Sequence, residues 1–157
     1  MNFTIPEPLQ REHEALHHEL RQATAAGGEV GEAARSLAGL MHPHFVKEDQ
    51  IALPPLGLLS ALARGEISAE MAGVLALTDR LEAELPAMLE EHKAILASLG
   101  RLQEAAQRAG RGDIVDFARQ LAEHARTEEE VMYPAAVIVG RHVRQLLVQA
   151  AGPRVAS

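Results

Sequence analysis

The sequence predicts an all-α protein, an up-down-up-down four-helix bundle. Aromatic residues make up only 3% of the chain, while Ala, Leu, Glu and Arg are abundant, and this composition favours helices over sheets. Apolar residues recur at helical spacing in four long stretches, as expected for amphipathic helices that share one core. A pattern of His and Glu in the first half recurs about 80 residues later, which indicates an internal repeat of a two-helix unit.

The first half of the chain predicts two helices. The first covers residues 9–26 and stops at the glycine pair that follows it, because consecutive glycines terminate helices. The second covers residues 31–53 and ends at Pro54 and Pro55. Pro43 lies inside this second helix and predicts a kink or a break, since proline has no N–H to donate to the preceding turn.

A short extra helix is expected over residues 56–63, between the second and third long helices. Ser68 is a suitable N-cap for the third helix, which continues to about residue 109 with a kink predicted at Pro86. The fourth helix follows a glycine-containing turn at residues 110–112, and Asp113 is its expected cap. Pro134 predicts a bend or an end, after which residues 135–149 are apolar enough to form a C-terminal helical extension.

Helical periodicity also predicts which side chains face the core. Polar residues recur at some of these inward positions, which is unusual for a hydrophobic interior. The predicted inward residues of the four helices are Leu9, His13, Leu16, His17 and Leu20, then Leu37, Leu40, Met41, His44, Glu48 and Ile51, then Met71, Val74, Leu75, Leu81, Leu85, Met88, Leu89, His92, Ile95, Leu96 and Leu99, and finally Phe117, Leu121, His124, Glu128, Val131 and Met132.

Length and composition limit which classes of function the protein can have. At 157 residues, 47% of them apolar, we expect a single domain over residues 1–157 with a substantial core. The net charge of −7 without a basic stripe argues against nucleic acid as a partner. The absence of Cys excludes disulfides and thiolate metal sites. The N-terminus lacks the features of a signal peptide and no apolar run is long enough for a membrane span, so we expect a cytoplasmic protein.

The repeated pattern consists of a lone His followed by His-x-x-x-Glu. His44 and Glu48 form one such pair and His124 and Glu128 the other, each 80 residues from its counterpart. Residues four apart lie about 40° apart around a helix, so each pair shares a face. His13 precedes the first pair and His92 the second, 79 residues apart, and a Pro follows each Glu by six positions.

Six inward polar residues of this kind favour a metal site. A buried ionised carboxylate is costly unless it is paired or bound to a metal, whereas four imidazoles and two carboxylates can hold two cations. Imidazole and carboxylate without sulfur suit iron, manganese or zinc. Any one of these histidines taken alone is more often a satisfied core or surface residue, and it is the matched six-residue pattern that carries the prediction.

Other polar residues are assigned from their position on the helix. His17 lies one turn after His13 and faces inward, so it is either a fifth His ligand or a residue that hydrogen-bonds a ligand. The only tyrosine, Tyr133, lies opposite the inward stripe by ideal periodicity and is expected to pack in the core or an interface, unless Pro134 distorts the helix. The remaining polar candidates are expected to be solvated, namely His18, His42, His142, Glu129 and Glu130.

The set H…HxxxE…H…HxxxE resembles the hemerythrin-like family, the His-His-Glu cation-binding domains, over residues 9–139. The resemblance implies a di-iron centre in which Glu48 and Glu128 bridge the two irons beside an oxo or hydroxo bridge. Centres of this family react with dioxygen, peroxide or nitric oxide. The ligands that the resemblance implies are His13, His44, Glu48, His92, His124 and Glu128.

Two departures from the oxygen carriers of the family bear on function. The carriers have a second His four residues after the first on the third helix, where this chain has Leu96, and the repeat-equivalent position is His17. The carriers also use Asp five residues after the fourth-helix His, where this chain has Glu128 at four. Both departures argue against reversible oxygen carriage.

We therefore expect a non-haem di-iron oxidoreductase that consumes peroxide or nitric oxide, with small molecules as its partners. The alternative is a non-enzymatic protein that binds or senses dioxygen or iron. A metal-free structural or interaction bundle is disfavoured, because its core would hold two unpaired carboxylates. Manganese and zinc fit the same ligand types.

Overall fold

The computed structural model describes residues 3–152, and the two ends of the predicted domain, residues 1–2 and 153–157, lie outside that range. Within it the chain is helical with short connections and contains no strand. The α-helices are α1 (Glu7–Thr24), α2 (Gly28–Lys47), α3 (Leu59–Ala63), α4 (Val74–Arg108), α5 (Gly112–Thr127) and α6 (Tyr133–Ala151). The predicted helical bundle is confirmed.

Four long rods form the bundle, namely α1, α2, α4 and the joined pair α5–α6. The helix α1 packs against α2 and α5, and α4 packs against α2, α5 and α6. Neighbouring rods run antiparallel because their connections are short, as at the turn where Gly110 adopts a φ of +67° between α4 and α5. The short helix α3 and two 3₁₀ turns, Pro54–Leu58 and Ala69–Gly73, join α2 to α4.

The hydrophobic core consists of separate clusters at the two ends of the bundle. One apolar cluster, which includes Leu16, Leu37, Phe45 and Phe117, fills the end of the bundle near the α1–α2 and α4–α5 turns. Two further clusters fill the other end, one around Leu53, Met88 and Tyr133 and one around Val74 and Val143. On every rod the repeated His and Glu positions fall between the two ends, so the polar residues lie in the middle of the bundle, enclosed by hydrocarbon.

Several local predictions differ from the structure. α2 runs continuously past Pro43 to Lys47, so no break occurs there. Ser68 precedes a 3₁₀ turn rather than α4 itself and makes no side-chain capping bond. Asp113 lies in the first turn of α5 and pairs with Arg111 at 2.8 Å instead of capping the helix.

Two π turns follow the HxxxE pairs, at Glu48–Ala52 and Glu128–Met132. In each, the N–H five residues after the Glu donates to the Glu carbonyl, from Leu53 in the first and from Tyr133 in the second. The prolines that follow, Pro54 and Pro134, cannot donate to the preceding turn and their rings exclude an i−4 carbonyl. Widening the turn by one residue accommodates both constraints, and each rod bends around a π turn instead of ending.

In the range from Phe3 to Gly152, we find no helix that is both long enough and apolar enough to cross a bilayer.

Candidate metal centre

The six residues predicted from the repeat lie together in the middle of the bundle. Their exposure ranges from 0% at Glu48 to 4% at His13 and His124. Each is carried by a different part of the fold, His13 by α1, His44 by the end of α2, His92 by α4 and His124 by the end of α5. Both glutamates open the π turns. The four rods therefore converge on one polar cluster.

The cluster divides into two sets of donor atoms, called here site A and site B. Site A comprises His44, Glu48, His92 and Glu128, and site B comprises His13, His124 and Glu128. In site A the Nε2 atom of His44 lies 3.1 Å from Glu48 Oε1, and the Nε2 atom of His92 lies 3.4 Å from Glu128 Oε2. In site B the Nε2 atom of His124 lies 2.7 Å from Glu128 Oε1 and 3.1 Å from His13 Nε2.

Both carboxylates face both sites. Glu128 presents Oε2 to site A and Oε1 to site B. Glu48 presents Oε1 to site A, while its Oε2 lies 3.8 Å from the Nε2 atom of His13. That Oε2 is buried and has no hydrogen-bond partner. A buried carboxylate oxygen with no hydrogen-bond partner, beside an imidazole nitrogen, fits a cation-binding site.

The donor spacing suits metal ions. Two donors that each lie about 2.1 Å from one ion, at right angles, are about 3.0 Å apart. The separations of 2.7–3.4 Å given above are close to this value, and the distance of 3.9 Å from His92 Nε2 to Glu48 Oε1 in site A is longer. The residues present therefore fit a pair of cations with nitrogen and oxygen ligands.

Each histidine points its other ring nitrogen at a second carboxylate. The Nδ1 atom of His44 lies 2.6 Å from Glu91 Oε2, and that of His92 lies 2.8 Å from Glu129 Oε1. A carboxylate that accepts from Nδ1–H fixes the tautomer and leaves the lone pair of Nε2 facing the centre. In site B the Nδ1 atom of His13 lies 3.3 Å from Asp49 and that of His124 lies 3.1 Å from Glu12, but neither nitrogen makes a hydrogen bond.

The buried charges shift the pKa values of the cluster. Burial alone would lower the pKa of His92, but hydrogen bonds to Glu128 and Glu48 outweigh it and raise that pKa to about 10. Burial is likewise outweighed at His124, where Glu128 raises the pKa to about 9. Burial would raise the pKa of Glu128, but hydrogen bonds from His124, His13 and His92 hold it well below its usual range. Without a metal, protons on the imidazoles balance the buried carboxylates.

A family model described as the hemerythrin HHE cation binding domain matches residues 4–136, which include all six clustered residues. The chain belongs to this family. Comparison with curated proteins and with solved structures gave no match. The family explains why carboxylates and imidazoles occupy the bundle core, since the domain is one that binds cations.

In this member of the hemerythrin family, Tyr133 packs in the core and also reaches the candidate site. It is 1% exposed within the apolar cluster around Leu53 and Met88, as predicted, and its hydroxyl donates a hydrogen bond to Glu48 Oε1 within site A. By ideal periodicity a residue five after Glu128 is about 140° away from it, but the extra residue of the π turn brings this to about 40°. The helix distortion that the sequence allowed for at Pro134 is therefore present, and it turns Tyr133 towards the site. The same shift leaves Val131, predicted to face inward, 58% exposed.

His17 is not a member of the donor cluster. Its ring packs against Phe45 with centroids 4.1 Å apart, and its side chain is half-buried at the edge of α1. Neither site A nor site B includes it.

Glu129 is exposed, as predicted, and its carboxylate also accepts from His92. Glu130 is exposed and pairs with Arg126 at 2.8 Å. His18, His42 and His142 are exposed, as predicted.

Proposed function

We propose that the cluster binds two metal ions, iron in both positions, and that the protein is a non-haem di-iron oxidoreductase. His44 and His92 would hold the ion of site A, and His13 and His124 the ion of site B. Glu48 and Glu128 would bridge the two. The observation that carries the proposal is that each buried glutamate directs one oxygen to each site.

The protein's own contribution is to hold the donors in place before a metal arrives. Four rods fix the ligands from opposite sides, and the Nδ1 contacts to Glu91 and Glu129 set the orientation of two imidazoles. Apolar clusters on both sides exclude bulk water and lower the local dielectric constant. Bound iron would supply the redox chemistry with peroxide, nitric oxide or dioxygen.

Two surface cavities lie beside α1, next to the centre. The lining of one, of about 270 Å³, includes His13 and Asp49, and that of the other, of about 530 Å³, includes His124 and Glu12, so each cavity meets its histidine on the side of the outer carboxylate. Both open beside α1, and molecules the size of peroxide or nitric oxide fit within them. These openings support small ligands as the substrates, and we place the reaction in the cytoplasm.

Stopped-flow mixing of the iron-loaded protein with hydrogen peroxide tests the proposal. An oxidoreductase of this kind should evolve oxygen, or oxidise a supplied reductant, over many turnovers per centre. The matched control is the same protein prepared without iron, which should be inactive. A stable and reversible spectrum with dioxygen, together with no turnover of peroxide or nitric oxide, would instead identify a dioxygen-binding protein.

A further inference from the structure

We propose that Tyr133 is a fifth ligand to the metal of site A, so that small exogenous molecules bind at the metal of site B. The proposal rests on the proposed function, because it requires the two sites to hold iron. On this proposal, protein donors fill the coordination positions at site A, whereas site B keeps a position at which substrate can bind.

The phenol oxygen of Tyr133 lies where a ligand of site A would lie. It is 3.2 Å from the Nε2 atom of His92 and 3.4 Å from the Nε2 atom of His44, in addition to its contact with Glu48. These separations match those between the other donors of site A, and they match neighbouring ligands on one ion at about 3.0 Å. The oxygen therefore shares a single coordination sphere with both histidines.

The contact with Glu48 satisfies the donor of the phenol. Its oxygen also lies close to the Nε2 atoms of His44 and His92, which are the ring nitrogens that face the two glutamates. An ion held by those nitrogens and Glu48 would therefore lie within reach of the phenol oxygen. On binding ferric iron the O–H bond breaks, the proton leaves to solvent, and an oxygen lone pair forms the bond to the metal. No oxidation state changes.

Site B has fewer donors. Its donors are the two imidazoles and one oxygen of Glu128, with Glu48 Oε2 3.8 Å from His13 Nε2, whereas Tyr133 gives site A five donors. The residue that is repeat-equivalent to Tyr133 is Leu53, 80 positions earlier, and its side chain carries no donor. The linings of the cavities described above include His13 and His124, which are the histidines of site B.

The sequence offers a direct spectroscopic test, because Tyr133 is the only tyrosine. Resonance Raman and visible spectra of the diferric protein should show tyrosinate modes and a tyrosinate-to-iron charge-transfer band. Both should be lost in Tyr133→Phe while two irons remain bound. Thr78→Val, which removes a buried hydroxyl bonded within α4, is the control and should retain both signals.

Azide provides a second readout that does not depend on turnover. The wild-type diferric centre should bind one azide, and Tyr133→Phe should bind two, because the variant opens a position at site A. Mössbauer spectra of the wild-type protein should show two inequivalent irons, of which one responds to azide.

The outcomes separate this proposal from the one on which it rests. Two bound irons without tyrosinate signals in the wild type would overturn the ligand role and leave Tyr133 as a hydrogen-bond donor to Glu48. One azide in both wild type and variant would also overturn it. A wild-type protein that binds no iron would overturn the di-iron proposal itself. Circular dichroism of Tyr133→Phe establishes that a lost signal does not come from unfolding.

Discussion

Each histidine of the cluster is held between the centre and a carboxylate nearer the protein surface. The residues that provide these outer carboxylates are themselves repeated, since Glu12 and Glu91 are 79 positions apart and Asp49 and Glu129 are 80 apart. Glu12 and Glu91 face the histidine of the opposite repeat, whereas Asp49 and Glu129 face that of their own. The internal repeat therefore includes the outer carboxylates as well as the predicted ligands.

Removing one outer carboxylate should weaken metal binding without removing a ligand. Glu91→Gln replaces the charged acceptor for the Nδ1–H of His44 with a neutral amide and removes the ion pair to Lys47 at 2.5 Å. We expect metal affinity to fall by about 10–100-fold, as measured by competition with a chelator. Glu90→Gln is the control, because Glu90 is exposed and pairs only with Lys93 on its own helix. Equal affinities in the two variants would contradict an orienting role for Glu91.

For individual residues, the sequence predicted the site where the same residue pattern occurs in both halves of the chain. The six clustered residues could be predicted because both copies of the pattern agree, and no single histidine carried the inference. The approach of Tyr133 to the site could not be predicted from ideal periodicity, because a π turn adds a residue that ideal helical geometry does not contain. The outer carboxylates also repeat in the sequence, at intervals of 79 and 80 residues. This repeat could have identified Glu129 as a residue beside the site.

At the scale of helices, local distortions decide which side chains enter the site. The prolines after each HxxxE pair predicted a distortion but not its kind, because a kink, a break and a π turn all relieve the same clash. Only the π turn keeps the helix continuous while it rotates the following residues around the helix axis. This explains why Val131, predicted to face inward, is exposed, while Tyr133, predicted to lie opposite the inward stripe, is buried.

Two helical glycines should respond in opposite ways to alanine. A Cβ at Gly140 in α6 would lie 2.1 Å from the Oγ1 atom of Thr78 in α4, whereas a Cβ at Gly100 meets nothing within 4 Å. Gly140→Ala should therefore lower the free energy of unfolding by about 1–3 kcal/mol through overpacking. Gly100→Ala should raise it by about 0.4–1 kcal/mol, because it reduces the entropy of the unfolded chain. Urea denaturation of the metal-free proteins measures both, and equal effects would contradict a close α4–α6 contact.

For the whole molecule, the metal-free bundle carries a buried set of charges that depends on pH. The pKa of His92 is raised from 6.5 to about 10 and that of His124 to about 9 by the neighbouring carboxylates, against the effect of burial. A group whose pKa is raised on folding stabilises the native state fully below its unfolded pKa. That stabilisation is lost as the pH rises through the folded pKa.

The metal-free protein should therefore become less stable as the pH rises from about 6.5 to about 10. Metal-loaded protein should not show this loss, because the cation replaces the protons as the partner of the carboxylates. Urea unfolding at several pH values tests the difference. His92→Gln should flatten the slope for the metal-free protein, whereas His42→Asn, at an exposed position, should leave it unchanged. A flat profile for the metal-free wild type would contradict the protonated cluster.

The central claim is that six side chains from four rods hold two metal ions. Metal analysis of the iron-reconstituted chain, together with its visible spectrum, tests it most directly, with Glu128→Ala and the exposed Glu130→Ala analysed in parallel. We predict two irons per chain with oxo-bridge charge-transfer bands in the wild type and in Glu130→Ala. Glu128→Ala should lose metal and stability together, because its core keeps unpaired polar groups. Two irons in Glu128→Ala, or no bound metal in a folded wild-type protein, would contradict the account.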